Sequence, residues 1–340
     1  MTIQLRCSNN SNYIDTLKGI TSILLVAYHV IGISPHSGLC QHDGILREAS
    51  DLLAYIRIPI FSFLSGLVYA RRPCRAEWKR FIKGKIRRLI APMLAVGTIF
   101  AVFQSIIPGT NNSISQWKFL HLLPVAHYWF VESLFLAFLI IIPMEHKRIL
   151  ESKVGIVSVF LCAVLLSVSH AGTPWLSIAG VIYIFPYFLA GIFCSRFSLQ
   201  FRNEKATGYL LLGVVIFLLI QGHNHIVDRL SPTAILIGIT YCLSMLFIRP
   251  ESGILSRIGF FSYSIYLFHV FFTAASRIIF SHLGVTNIWI LFLLGTFFGI
   301  TGSIMVDIAA SRKNISRLLL LGKKPIFPKN ITTCISTSQL

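Results

Sequence analysis

Asp15 to Val30 reads DTLKGITSILLVAYHV, and from Ile20 to Val30 it is almost wholly apolar. A run of this kind, extended by its neighbours to about twenty residues, reads as a helix that crosses a lipid bilayer. It carries a cation near its start, Lys18, and an imidazole well inside, His29. At roughly 100° and 1.5 Å per residue, that interval is three turns plus about 20°, so both side chains share one face about 16 Å apart. One reading is a slot for a long ligand with an anionic head and a reactive end, such as an acyl-coenzyme A thioester. The other is a lysine reaching back to the membrane surface and a histidine hydrogen-bonded between helices.

The composition supports a membrane setting. Of 340 residues, 55% are hydrophobic and 12% charged, about half the charged fraction of a soluble domain. The mean hydropathy is +0.74. A net charge of +18 does not indicate nucleic acid, because the basic residues cluster in short loops between apolar runs. The seven cysteines are scattered and never in CxxC spacing, so neither a disulfide framework nor a metal site is expected. The polar leader to Tyr13 carries no convincing cleavage site, and no cleaved signal peptide is expected.

The expected fold class is all-α, a polytopic membrane protein of about ten transmembrane helices. They are placed near 14–34, 50–70, 88–107, 125–143, 154–170, 175–194, 207–221, 233–248, 258–280 and 287–309, the seventh and eighth being short. Residues 1–321 form the membrane domain, and 322–340 read as a polar tail, expected to be disordered. With both termini in the cytoplasm, twenty-four Lys and Arg fall on inner segments and three on outer ones, Arg47, Lys118 and Arg229. That bias sets the predicted orientation. It puts Lys18 at the inner surface, His29, Arg57 and Glu132 in the outer half, His269 near mid-depth and Arg277 near the outer end. His127, Tyr128 and Trp129 then sit at the outer interface. Charges this deep are expected to face one another or a wet cavity; structural pairs such as Arg57–Glu132 are the plainer account.

Three further stretches stand out. KRFIKGKIRRLIAP, Lys79–Pro92, is the densest charge in the chain. It reads either as a topogenic signal or as a phosphate cradle in which Lys85 and Arg88, three residues apart, share a face if the helix begins early. In the second span, Ser62, Ser65, Gly66 and Tyr69 follow i, i+3, i+4, i+7 spacing, a pattern of close helix packing. In the ninth, SYSIYLFH places Ser262, Tyr266 and His269 on one face.

These pieces together resemble the acyltransferase-3 family of bacterial membrane O-acyltransferases, most closely its fucose 4-O-acetylase-like branch. DTLKGITSILLVAYH is similar to the first-helix pattern of a basic residue, ten residues, then His. IPIFSFLSGLVY is similar to the P-[LI]-F-x-F-x-S-G signature of the second helix. KIRRLIAP looks like the RxxR element, HYWFVESLFLAF like the W-F-x-x-x-L segment, and SYSIYLFH like the late S-x-x-I-Y-L-x-H. The resemblance implies transfer of an acyl group, usually acetyl, from cytoplasmic acetyl-CoA to a hydroxyl of a surface glycan or its lipid-linked precursor. It places the catalytic imidazole at His29, its basic partner at Lys18 and the RxxR pair at Lys85 and Arg88. Lysine stands at 18 and 85 where much of the family has arginine, so phosphate contacts there are less directional.

The expected activity is therefore an O-acetyltransferase in the bacterial inner membrane, modifying a lipopolysaccharide, capsule or exopolysaccharide. His29 is general base or transient acyl carrier, and Glu132 a second catalytic candidate. Lys18, Lys85 and Arg88 hold the donor; Arg57, Tyr266 and His269 face the acceptor. No metal or prosthetic group is expected, and membrane lipids are the surrounding partners. Two rivals remain at this point: a transporter or flippase for a lipid-linked sugar, and a haem electron carrier using His29 and His269 as axial ligands.

Overall fold

The computed structural model describes residues 2–74, 76–107, 117–197, 199–222 and 228–326, with side chains from residue 12 onward. Among these no strand forms, and the chain is a helical bundle. Its helices are α1 (Thr2–Ile31), α2 (Ile45–Ala70), α3 (Trp78–Lys85), α4 (Ala91–Ile106), α5 (Trp129–His146), α6 (Lys153–Val168) and α7 (Ile178–Arg196). There follow α8 (Glu204–Gly222), α9 (Pro232–Ile248), α10 (Gly253–Phe260), α11 (Ser262–His282), α12 (Ile288–Ala310) and α13 (Asn314–Leu319).

Eight helical segments among the described residues are long and apolar enough to cross a membrane. Two more, α6 and α9, have 16 and 17 residues, about 25 Å of helix against a hydrocarbon core of about 30 Å. The outward faces of the bundle are apolar: Leu165 of α6, Leu210, Phe217 and Ile220 of α8, and Leu293 and Phe297 of α12 are all exposed. Such a surface belongs in lipid rather than water. The protein is an all-α polytopic membrane protein.

The boundaries differ from expectation in three places. The third span starts at Trp78, ten residues before the predicted 88, and runs through a π-helical turn, Ile86–Ile90, into α4. The amphipathic basic run is thus helical itself, and Arg87 and Arg88 lie on the π turn. The ninth span is broken at Phe261, between α10 and α11. The supposed tail is not loose at its start: Lys323 pairs with Asp307 at 2.6 Å, and Asn314 exchanges hydrogen bonds with the backbone of Ile326 at 2.9 and 3.0 Å. Residues 327–340 lie outside the described residues.

Small residues bring backbones together. A Cβ on Gly66 of α2 would stand 2.0 Å from the carbonyl oxygen of Phe188 on α7, and one on Gly191 would stand 2.1 Å from that of Phe63. The Ser62 hydroxyl donates to the Ile184 carbonyl at 2.8 Å across the same contact. The small-residue face of α2 is therefore a packing face, as its spacing predicts. Gly19 and Gly259 do the same for α1 and α10, where added Cβ atoms would meet the Leu255 and Asp15 carbonyl oxygens at 2.0 and 1.8 Å.

Candidate active site

Three imidazoles from three elements meet where α1 ends. His29 lies in the last turn of α1, His269 in α11, and His127 in the 3-10 turn Ala126–Tyr128 that opens α5. Their ring centres are 4.8 Å apart for His29–His269, 4.8 Å for His127–His269 and 5.4 Å for His29–His127. The turn carrying His127 is held against α11 by side chains. Tyr128 donates its hydroxyl proton to the Leu267 carbonyl at 2.8 Å, and the Tyr266 hydroxyl donates to the His127 carbonyl. Ala126 enters this turn in the left-handed region at φ 46°, an uncommon setting for a residue with a Cβ and one that tertiary contacts must hold.

The backbone partners fix two of the tautomers. His127 Nε2 sits 2.9 Å from the Tyr266 carbonyl, and His269 Nδ1 sits 2.7 Å from that of Ile265 and 3.0 Å from that of Tyr266. A carbonyl only accepts, so both nitrogens carry the proton. His127 Nδ1 and His269 Nε2 are then lone pairs, buried and without a hydrogen-bond partner in the protein. Buried acceptors left this way call for a donor: the N–H of His29, or a hydroxyl brought by a ligand.

His29 and His127 line a cavity of about 520 Å³ between α1, α4, α11 and α12. It lies at the end of the bundle where α1 and α11 finish and α12 begins. Its remaining wall is largely apolar, with Val30, Phe103, Phe271 and Leu291 among its residues and Arg277 and Gln104 its larger polar groups. His269 is fully buried and, like Tyr266, stands behind the imidazoles rather than on the cavity wall. These two expected acceptor-facing residues thus reach the cavity through His29 and His127.

The other predicted residues are distributed as follows. Arg57 is 3% exposed and stacks over the Tyr28 ring, 3.5 Å from its centre. Glu132 accepts a hydrogen bond from the Ser177 hydroxyl at 2.6 Å. The Arg57–Glu132 pair that the sequence allowed does not form, because α2 turns Arg57 toward α1 while Glu132 faces the turn before α7. Lys18 pairs with Asp15 at 2.9 Å, one turn earlier on α1. Lys85 rests its ammonium 3.3 Å above the Phe138 ring and 5.1 Å from that of Phe81, whereas Arg88 is exposed. Lys85 and Arg88 lie within Coulombic range of each other, whereas Lys18 turns to Asp15.

His127 was legible only as part of an interfacial aromatic belt, and nothing in the sequence marked Tyr28. The geometry does not favour the haem reading: His29 and His269 are in edge contact with ring centres 4.8 Å apart, with no space for a macrocycle between them. Among the described residues no group of three His, Cys, Asp or Glu has metal-holding geometry.

A helical membrane bundle that gathers three imidazoles beside an apolar cavity has the groups that proton transfer requires. Residues 11–308 match the acyltransferase-3 family, described as an acyltransferase domain. The chain belongs to that family and is a membrane acyltransferase. No curated protein and no solved structure matches it.

Proposed function

We infer that the protein moves an acetyl group from cytoplasmic acetyl-CoA to a hydroxyl of a surface polysaccharide, or of its lipid-linked precursor, in a bacterial inner membrane. The observation that carries this reading is the position of His29. It floors a cavity reached from one end of the bundle, while Lys18 lies three turns away toward the other. The acceptor reaches His29 at the cavity end of the bundle; the donor's phosphates stay at the opposite end with Lys18, Lys85 and Arg88. Arg88, exposed on the π turn, is the leading phosphate contact, since the Lys18 ammonium is shared with Asp15.

In the reaction, a nitrogen of His29 takes the proton from the acceptor hydroxyl as that oxygen attacks the thioester carbonyl. The carbon–sulfur bond breaks, and the imidazolium returns the proton to the departing thiolate. His269 Nε2, an unpartnered lone pair beside His29, is placed to take the other N–H of His29 once the substrate is bound, and so to fix which nitrogen is basic. Tyr266 acts from one step further back by holding the turn of His127. Glu132, tied to Ser177, positions the start of α7 and does not line the cavity. The test compares the surface glycan of a deletion strain with that of a complemented strain by NMR. An O-acetyl signal lost on deletion and restored on complementation supports the assignment; identical spectra overturn it.

A further inference from the structure

Cations are scarce at the cavity end of the bundle, yet two of them converge on one tyrosine. Arg57 of α2 stacks on the face of Tyr28, and Arg229, which precedes α9, brings a second guanidinium close to the Tyr28 hydroxyl. Tyr28 is the chain neighbour of His29, and their rings are in edge contact with centres 5.0 Å apart. The two guanidiniums lie within Coulombic range of each other, with Tyr55 and Tyr183 beside them.

Neither arginine forms an ion pair with a carboxylate among the described residues. The two carboxylates acting on the cluster are engaged elsewhere, Asp51 with Arg47 and Asp228 with His170. A buried guanidinium facing a second one, with only neutral rings between, is costly unless an anion joins them. Stacking on Tyr28 uses the face of Arg57 and none of its five N–H donors, which remain in a planar fork suited to phosphate or carboxylate. Arg229 is exposed and Arg57 buried, so an anion arriving from outside meets Arg229 first and is drawn toward Tyr28.

We propose that Arg57, Arg229 and Tyr28 form an anion-recognition site beside His29, and that the acyl acceptor is an acidic sugar whose phosphate or carboxylate is held there. The identity of the acceptor rests on His29 being the transfer residue; the anion site itself does not. None of Arg57, Arg229 and Tyr28 lines the apolar cavity; the anion is held on the α2 side of His29, reached through Tyr28, and a hydroxyl of the same acceptor is left within reach of the imidazole.

Binding of radiolabelled glucose 1-phosphate, glucuronate and methyl glucoside to the purified protein in nanodiscs, with no acyl donor present, tests this directly. Wild type and His29→Ala should each bind at least one of the two acidic probes about tenfold or more tighter than the neutral glucoside. Whichever acid is preferred tells phosphate from carboxylate. Arg229→Gln, an exposed substitution that leaves the bundle intact, should erase the preference, and Arg229→Lys should keep part of it. Lys18→Gln should keep all of it. Equal binding of the three probes overturns the proposal, and so does a preference that survives Arg229→Gln or disappears in Lys18→Gln. Absence of acyl transfer with the anion preference intact would sink the transfer reading and leave the anion site standing.

Discussion

His127 and Tyr266 are bonded to each other twice: the imidazole Nε2–H donates to the Tyr266 carbonyl at 2.9 Å, and the Tyr266 hydroxyl donates back to the His127 carbonyl. This reciprocal pair ties the start of α5 to the middle of α11. It also leaves His127 Nδ1 as a bare lone pair beside His29. The same carbonyl of Tyr266 shares His269 Nδ1–H with the nearer carbonyl of Ile265, so one residue sets the tautomer of His127 and helps to set that of His269.

Tyr266→Phe removes one half of that pair and leaves the His127 carbonyl without its donor. The expected loss of stability is about 1–3 kcal/mol, read as a lower thermal midpoint in detergent. Turnover should fall while the Michaelis constant for acetyl-CoA stays near wild type, because the donor lies at the other end of α1. A selective rise in that constant would show that Tyr266 touches the donor.

His29→Ala should abolish acyl transfer and leave membrane insertion and acetyl-CoA affinity nearly unchanged, since one side chain at a cavity wall is removed from a large bundle. Acylation at the wild-type level, measured on the purified enzyme or on the glycan, would end its assignment as the base.

Substitution of Lys18, Lys85 or Arg88 by Gln should raise the Michaelis constant for acetyl-CoA more than it lowers turnover, as expected when a contact equal in ground and transition states is lost. Charge-assisted contacts of about 1.5–3 kcal/mol correspond to roughly ten- to a hundredfold. The largest effect is expected at Arg88, which is exposed, and the smallest at Lys85, whose ammonium is already placed on the Phe138 ring. Lys18→Arg should retain function. Wild-type donor affinity in all three Gln variants would reduce the basic run to a topological signal.

Gly66→Val should separate α2 from α7, because even a single added Cβ would stand 2.0 Å from the Phe188 carbonyl oxygen. Overpacking of this kind costs about 1–3 kcal/mol, occasionally more. A thermal midpoint equal to wild type would show that the two backbones can part without penalty.

Orientation is open to direct measurement. In a variant whose other cysteines are replaced, the exposed Cys40 should react with an impermeant maleimide from outside the cell. Lys79→Cys, at the start of the basic helix, should react only after the inner face is opened. Reaction of position 79 from outside would reverse the predicted topology and the side from which the donor arrives.

The sequence by itself determined the membrane character, the approximate positions of the apolar helices and the shared face of Lys18 and His29. Each of these is local: hydropathy is a property of a segment, and two residues on one helix have their geometry set by its pitch. The packing role of Gly66 was legible for the same reason, as small residues at helical spacing leave no other use for that face. His269 and Arg57 were legible as site residues; how they and His127 are arranged around His29 was not. His127, His269 and Arg57 come from segments far apart in the chain, and which of their faces turn inward depends on how each helix is rotated about its axis by all its neighbours. That rotation also separated Arg57 from Glu132, stacked it on Tyr28 and laid Lys85 on Phe138. Only tertiary packing decides it, because each helix is apolar on nearly every side and its own sequence does not choose the buried face.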